Sequence, residues 1–363
     1  MADRIFISEL AQAESVNDEL MFVGDNGEKT NKVNASQIKD YILGNINPDD
    51  FGTVKSVNNK LPDENGNISL EIPRATNPNL LDNWYFLNPV NQKGFSSEAA
   101  NGSTYTIDRW VKSGYTTGVL SVAENGFTID STATTTSSQN RIRQFIEAKL
   151  PSGTYTLSVL IPEITGEADI RLGNSSNGLI ANKEVAGVGL HTLTFDSDDI
   201  YSVSLGAFGG NSVTFAAVKL EAGDQQTLAH QNEDGEWVLN EVPDYAKELA
   251  KCQRYQLRVG YAPGSSSSTP VGIGFAYSTT SVRVFIPTPV TMRTTPAIEY
   301  MGSNTIATLR VRGNAKTLDI ESATVTIYNN GVMLNATVSG AVTNELYALV
   351  PTVTAGFILN ANL

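Results

Sequence analysis

A chain of 363 residues exceeds what one ordinary hydrophobic core holds, so two to four modules are expected. Its 25 basic and 38 acidic residues leave a net charge of −13, which repels phosphate backbones and argues against a nucleic-acid partner. A single cysteine and two histidines exclude an intrachain disulfide framework, zinc fingers and multi-histidine metal sites.

Only 17% of residues are charged, against about 25% in a typical domain, so the polar surface is mostly uncharged. The 35 threonines favour strands and the 32 asparagines favour turns, which points to a mainly β chain with many tight connections. The first twenty residues carry acids where a secretory leader carries bases, and no stretch reaches the roughly 18–20 apolar residues of a membrane span. The expectation is synthesis in a reducing cytoplasm with no membrane insertion.

Residues 1–45 read as a small ββα unit. Leu20 and Phe22 lie in a short apolar run, Gly24-Asp25-Asn26-Gly27 is a hairpin signal, and Lys29 to Val33 can return as the partner strand. Asn34 then caps a short helix with Gln37 three residues on, and Ile38, Tyr41 and Ile42 form its apolar stripe. So small a unit buries too little surface to stand alone and calls for a partner surface or copies of itself. Residues 46–78 read as a stalk with a β-hairpin at Pro62-Asp63-Glu64-Asn65-Gly66, and Pro73 and Pro78 mark its end.

From 79 to 223 strand signals recur at the spacing of a two-sheet sandwich, among them Thr104 to Trp110, Arg141 to Phe145, Gly153 to Ile161, Ala168 to Leu172, Gly189 to Phe195 and Tyr201 to Ala207. Residues 224–260 hold a linker and a helical neck over 242–256. There Tyr245, Leu249 and Cys252 repeat at coiled-coil spacing, with acids toward the start and bases toward the end. Two heptads are too short for an isolated coiled coil, but suffice between domains already held together. Residues 261–363 return to strands, including Val271 to Tyr277, Val282 to Ile286, Ala323 to Tyr328 and Val332 to Val338, and predict a sandwich-like β tip.

Several phrases in this order resemble phage fibre proteins. Ile7-Ser8-Glu9-Leu10 and Ser36-Gln37-Ile38-Lys39-Asp40-Tyr41-Ile42 are similar to virion-attachment segments. Val54-Lys55-Ser56-Val57-Asn58 with Leu61 to Ile68 is similar to a stalk motif. Asn79-Leu80-Leu81-Asp82-Asn83-Trp84-Tyr85-Phe86, Tyr105-Thr106-Ile107-Asp108-Arg109-Trp110 and Val218-Lys219-Leu220-Glu221-Ala222-Gly223 resemble a carbohydrate-binding-module-like jelly roll, and Asp244 to Tyr255 the segment that follows it. The resemblance covers about residues 1–256 and implies a homotrimeric tail or head fibre. Its N-terminus, with Leu20, Phe22, Ile38, Tyr41 and Ile42, would anchor on a phage tail or capsid protein. Its β domains would bind host-surface polysaccharide, and it would reside on the virion.

Neither His191 nor His230 lies near a Gly-x-Ser-x-Gly elbow, and no phosphate-cradling glycine loop occurs, so no catalytic residue is assigned. Asp196, Asp198 and Asp199 offer oxygen ligands for calcium, but between strands they read as a polar turn, as do Glu163, Glu167 and Asp169 around Gly166. No cofactor is expected. Trp84 and Trp110 read as core, and Trp237 as a hairpin residue packed on the neck. Tyr261, Tyr277, Tyr300 and Tyr328 in the distal domain are the glycan-stacking candidates. In a trimer, the three Cys252 thiols would face the axis as small hydrophobes. A fibre-borne glycan hydrolase or esterase, and a capsid head fibre of weak non-specific adhesion, stay open as alternatives.

Overall fold

The computed structural model describes residues 21–25, 30–34, 76–114, 117–134, 139–260, 270–301, 305–314, 316–351 and 356–362. The chain divides into two compact units, Met1–Pro73 and Arg74–Leu363.

In the first unit, Met21–Asp25 pairs antiparallel with Thr30–Asn34, and Asp25 lies opposite Thr30, the strand pairing expected of a hairpin here. Phe22 lies in its first strand. Leu20, Ile38, Tyr41, Ile42 and the stalk hairpin fall outside the described residues, as does Tyr261.

The second unit is mainly β and contains two separate hydrophobic cores. The first belongs to a sandwich in which Trp110, Phe86, Phe127, Ile142, Leu157 and Leu205 are completely buried. Phe86 meets Trp110 edge-on at 5.2 Å, and the Trp110 indole donates to the Asn83 carbonyl at 2.9 Å. Trp84 is also core, as its apolar flanks predict. One sheet of this sandwich runs in the order Leu179–Ala186, Glu167–Gly173, Ser202–Phe208, Gln139–Phe145, Val111–Gly114. Sheets of three and five strands complete the module.

Two expectations change here. Thr104 to Trp110 is not a strand: only Tyr105 makes a β-bridge, to Val111, and the ladder starts at Val111. The segment instead wraps a polar knot. Asp108 accepts from the Gln92 amide and both Gln92 and Gln256 side chains, and Arg109 takes a positive φ of 72°. Leu179–Ala186 forms an edge strand not among those expected, with only Val185 buried.

The helix spans Tyr245–Gln253, and Asp244 caps it by accepting from the amides of Ala246 and Lys247. Its buried residues are Glu248 and Cys252. Glu248 accepts from the Asn83 amide at 2.8 Å and from Lys251 at 2.6 Å, and burial pushes the Cys252 thiol well up. Tyr245 is 45% exposed and Leu249 half-buried. The stripe predicted to face a trimer axis is thus split: Cys252 is consumed by its own chain because Glu248, Cys252 and Tyr255 form the packed face. Arg109 stacks 3.5 Å above the Tyr255 ring.

The tip starts earlier than 261. Gln256–Val259 pairs with the last strand, Phe357–Asn360, which also pairs Ala297–Tyr300, and Leu257 and Val259 enter the second core. A seven-stranded sheet packs on this layer, with Gly272–Ser278 and Ser281–Pro287 near its centre. Val282, Val284, Leu334 and Leu349 point inward and are fully buried.

Candidate functional site

The outer face of the sandwich's Gln139–Phe145 sheet carries a groove of about 370 Å³, within the range of ligand clefts. Side chains alternate along strands, so Arg141 and Arg143 share this face while Ile142 points into the core. Register then builds straight rows across the strands. Asn182, Arg171, Ser204, Arg143 and Val111 are successive cross-strand partners, and Glu184, Asp169, Gly206, Arg141 and Ser113 form the next row. Three arginines separated by up to 30 positions in sequence thereby meet on one surface.

Gly206 makes their arrangement feasible. A β-carbon there would meet Arg141 Cγ at 2.6 Å and the Asn140 carbonyl at 3.0 Å, so the missing side chain is the lane along which Arg141 crosses to Asp169. Arg141 Nη2 lies 3.3 Å from Asp169 Oδ2, and Arg171 pairs with the same oxygen from the other side. Burial pushes the Asp169 carboxyl up, against the pull of Arg171 and Arg141. Burial pulls the Arg141 guanidinium down, and repulsion from Arg171 and Arg143 adds to it. Asp169 Oδ1 is buried without a hydrogen-bond partner.

Arg143 has no acidic partner among the described residues; its Nε donates to Ser204 Oγ at 3.1 Å. Ser202 and the Asn174–Gly178 loop complete the wall, with Asn177 at φ 62° and Asn174 Oδ1 accepting from the Ser176 and Gly178 amides. Beyond Arg143 on the same strand face, the Phe145 ring lies 5.3 Å from Tyr201. The groove presents planar forked donors, hydroxyls and an amide, the groups that read sugar hydroxyls and acidic substituents.

Sequence reasoning missed this site. Asp169 lies in the expected Ala168–Leu172 strand, and it is completely buried beneath two arginines rather than part of a polar turn around Gly166. The available signal was the Arg141-Ile142-Arg143 alternation, which puts two cations on one face of a strand in an acidic chain.

The tyrosine candidates do not converge. Tyr277 is 61% exposed with Arg283 stacked 4.4 Å from its ring, and Tyr328 is 52% exposed. Tyr277 follows Ala276, the partner of Val282 early in its strand, whereas Tyr328 pairs with Gly331, which also pairs Pro287 at that strand's far end. Tyr300 packs partly against the second core, and burial pushes its hydroxyl up.

His191 Nε2 lies 2.9 Å from the Gly187 carbonyl, and His230 Nδ1 lies 2.6 Å from Asn240 Oδ1. Asp196 accepts from Thr154 and Asp199 from Ser175. No cluster of three or more metal-ligating side chains occurs among the described residues. Trp237 lies in the hairpin of Ala229–Gln231 with Trp237–Leu239, beside Gly189 of the sandwich rather than on the neck.

No family model and no curated protein matches this chain. Among solved structures it is similar to the unliganded carbohydrate-binding module BiXyn10A CBM1, with 12% identity over 35% of this chain and 96% of that one, TM-score 0.26. A family 29 carbohydrate-binding module matches with 9% identity over 35% and 90% of the two chains, TM-score 0.24. The enzymatically active domain of bacteriophage CBA120 tailspike protein 4 matches with 11% identity over 35% of this chain and 18% of that one, TM-score 0.17.

Proposed function

We propose that this chain is a homotrimeric fibre protein of a phage particle that adheres to the host surface by binding glycan in the groove of its sandwich. The observation that carries the binding reading is that groove: about 370 Å³, open on a sheet face and lined with arginine, asparagine and serine. Weak single contacts multiplied by three copies per fibre give avidity without a deep pocket. The order of N-terminal, stalk and jelly-roll motifs in the sequence supports the fibre reading and a virion location.

The tip supports association of copies. Ile273, Phe275, Tyr277, Phe285 and Leu346 are all exposed, and register places Phe275 opposite Leu346 and Ile273 opposite Phe285 on one outer face. The same strand turns its smallest residues, Gly272, Gly274 and Ala276, toward the sheet's inner side. Such a face suits a second and third copy of this chain, and closed symmetry would bury it in each.

The reading is adhesion rather than turnover. Titration of the full chain against a panel of bacterial surface polysaccharides should give saturable binding to at least one member, with no rise in reducing ends on prolonged incubation. Binding to none would remove the glycan reading, and released oligosaccharide would replace adhesion with hydrolysis. Light scattering should give three times 39.0 kDa.

A further inference from the structure

We infer that the groove selects an acidic glycan, one bearing carboxylate or phosphodiester groups, and that Arg143 is the residue that reads the charge. This rests on the glycan reading above and adds the chemical class of the ligand.

The charges in the groove do not balance. Arg141, Arg143 and Arg171 line the groove, and one carboxylate, Asp169, lies beneath two of them. Asp169 does not serve Arg143 as well: among the described residues that guanidinium donates to the neutral Ser204 hydroxyl and lies 5.8 Å from the Phe145 ring. The other acids on this face of the neighbouring strands, Glu184 and Glu167, do not reach Arg143: Glu184 lies beyond Asp169 from Arg141, in the row next to that of Arg143, and the exposed Glu167 lies a further row away. The groove therefore holds three fixed cations over one anion inside a protein of net charge −13.

Holding three like charges close together in one groove destabilises the free protein through their mutual repulsion, which an anionic ligand relieves. Guanidinium forks match carboxylate and phosphate oxygens in geometry as well as charge. The serine hydroxyls and the Asn177 side chain add donors and acceptors that a bare inorganic anion would leave unused. Together they specify a saccharide that is also acidic.

The test titrates the full chain with polygalacturonate, a phosphodiester-linked polysaccharide, neutral dextran and inorganic polyphosphate. The expected result is binding to one or both acidic polysaccharides, weakened at least tenfold by Arg143→Gln with the unfolding temperature unchanged. It should also fall as salt rises from low to physiological strength. Which of the two acidic polymers binds assigns the carboxylate or phosphate source. Dextran binding as tightly as either acidic polymer, or Arg143→Gln binding like the native chain, would overturn acidic selectivity while leaving a glycan site standing. Polyphosphate binding as tightly as the polysaccharides would overturn it in favour of a plain anion patch. Failure of all four probes would overturn the inference, while binding elsewhere on the broader polysaccharide panel would keep the glycan reading.

Discussion

The two exposed sheet faces of the second unit are opposites. On the sandwich, the outer face is cationic and polar, and its alternation is conventional: Ile142, Leu205 and Ile170 go inward while Arg143, Ser204 and Arg171 go outward. On the tip, the central strand Gly272–Ser278 is inverted, with glycine and alanine inside and Ile273, Phe275 and Tyr277 outside. A β-carbon on Gly274 would come within 1.7 Å of the Arg283 carbonyl, so the inner side has no room for the larger set. On the proposed reading, one face meets a solute and the other meets protein. Burial alone does not tell them apart; the chemistry of what is left outside does.

The largest expected effect breaks the apolar half of this contrast. Phe275→Asp combined with Leu346→Lys should convert the proposed trimer to a species of 39.0 kDa by light scattering while each groove keeps its own ligand affinity. An unchanged mass would show that the tip face does not hold copies together.

A second test addresses the joint between the two halves. Asp108 is completely buried where Gln92 of the sandwich and Gln256 of the tip converge. Burial raises its pKa from 3.8 to about 6, and hydrogen bonds from Gln92 and the charge of Lys93 only partly oppose this. A carboxyl whose folded pKa lies above its unfolded value stabilises the fold most fully below about pH 4, and that contribution is lost as pH rises through about 6. At about 1.4 kcal/mol per pH unit, the loss is about 3 kcal/mol. Denaturant melts of the native chain and Asp108→Asn, compared from pH 4 to 7, should show this slope in the native chain only. Parallel curves would reject the assignment.

The smallest effect sharpens the polar half. Gly206→Val should cost about 1–3 kcal/mol, because its branched side chain fills the lane used by Arg141. It should also weaken ligand binding by displacing Arg141 from Asp169. Chemical denaturation and the same glycan titration read both consequences, and retention of full affinity would show that the Arg141 crossing is not needed.

Much of this was legible in the sequence. The Gly24-Asp25-Asn26-Gly27 signal anticipated the pairing of the N-terminal strands, and the neck expected over 242–256 starts within a few residues of the observed helix. Trp84 and Trp110 declared themselves as core through apolar neighbours. The groove was half legible: Arg141 and Arg143 two apart in a strand must share a face, but nothing local brings Arg171 alongside. That depends on Ser202–Phe208 inserting between the two arginine strands, a pairing separated by some 60 positions. Cys252 was not legible because coiled-coil spacing describes a stripe without saying what covers it: here the thiol is buried within its own chain, on the helix face where Glu248 bonds the Asn83 amide.

Composition, alternation and turn residues by themselves determined a β-rich chain and where most of its strands lie, because backbone preference and period-two patterning are local properties. Strand order, the side of each sheet that was buried, and the partner of each charge were decided only in the folded molecule. They depend on contacts between distant segments competing for the same limited interior, and no short stretch contains that competition.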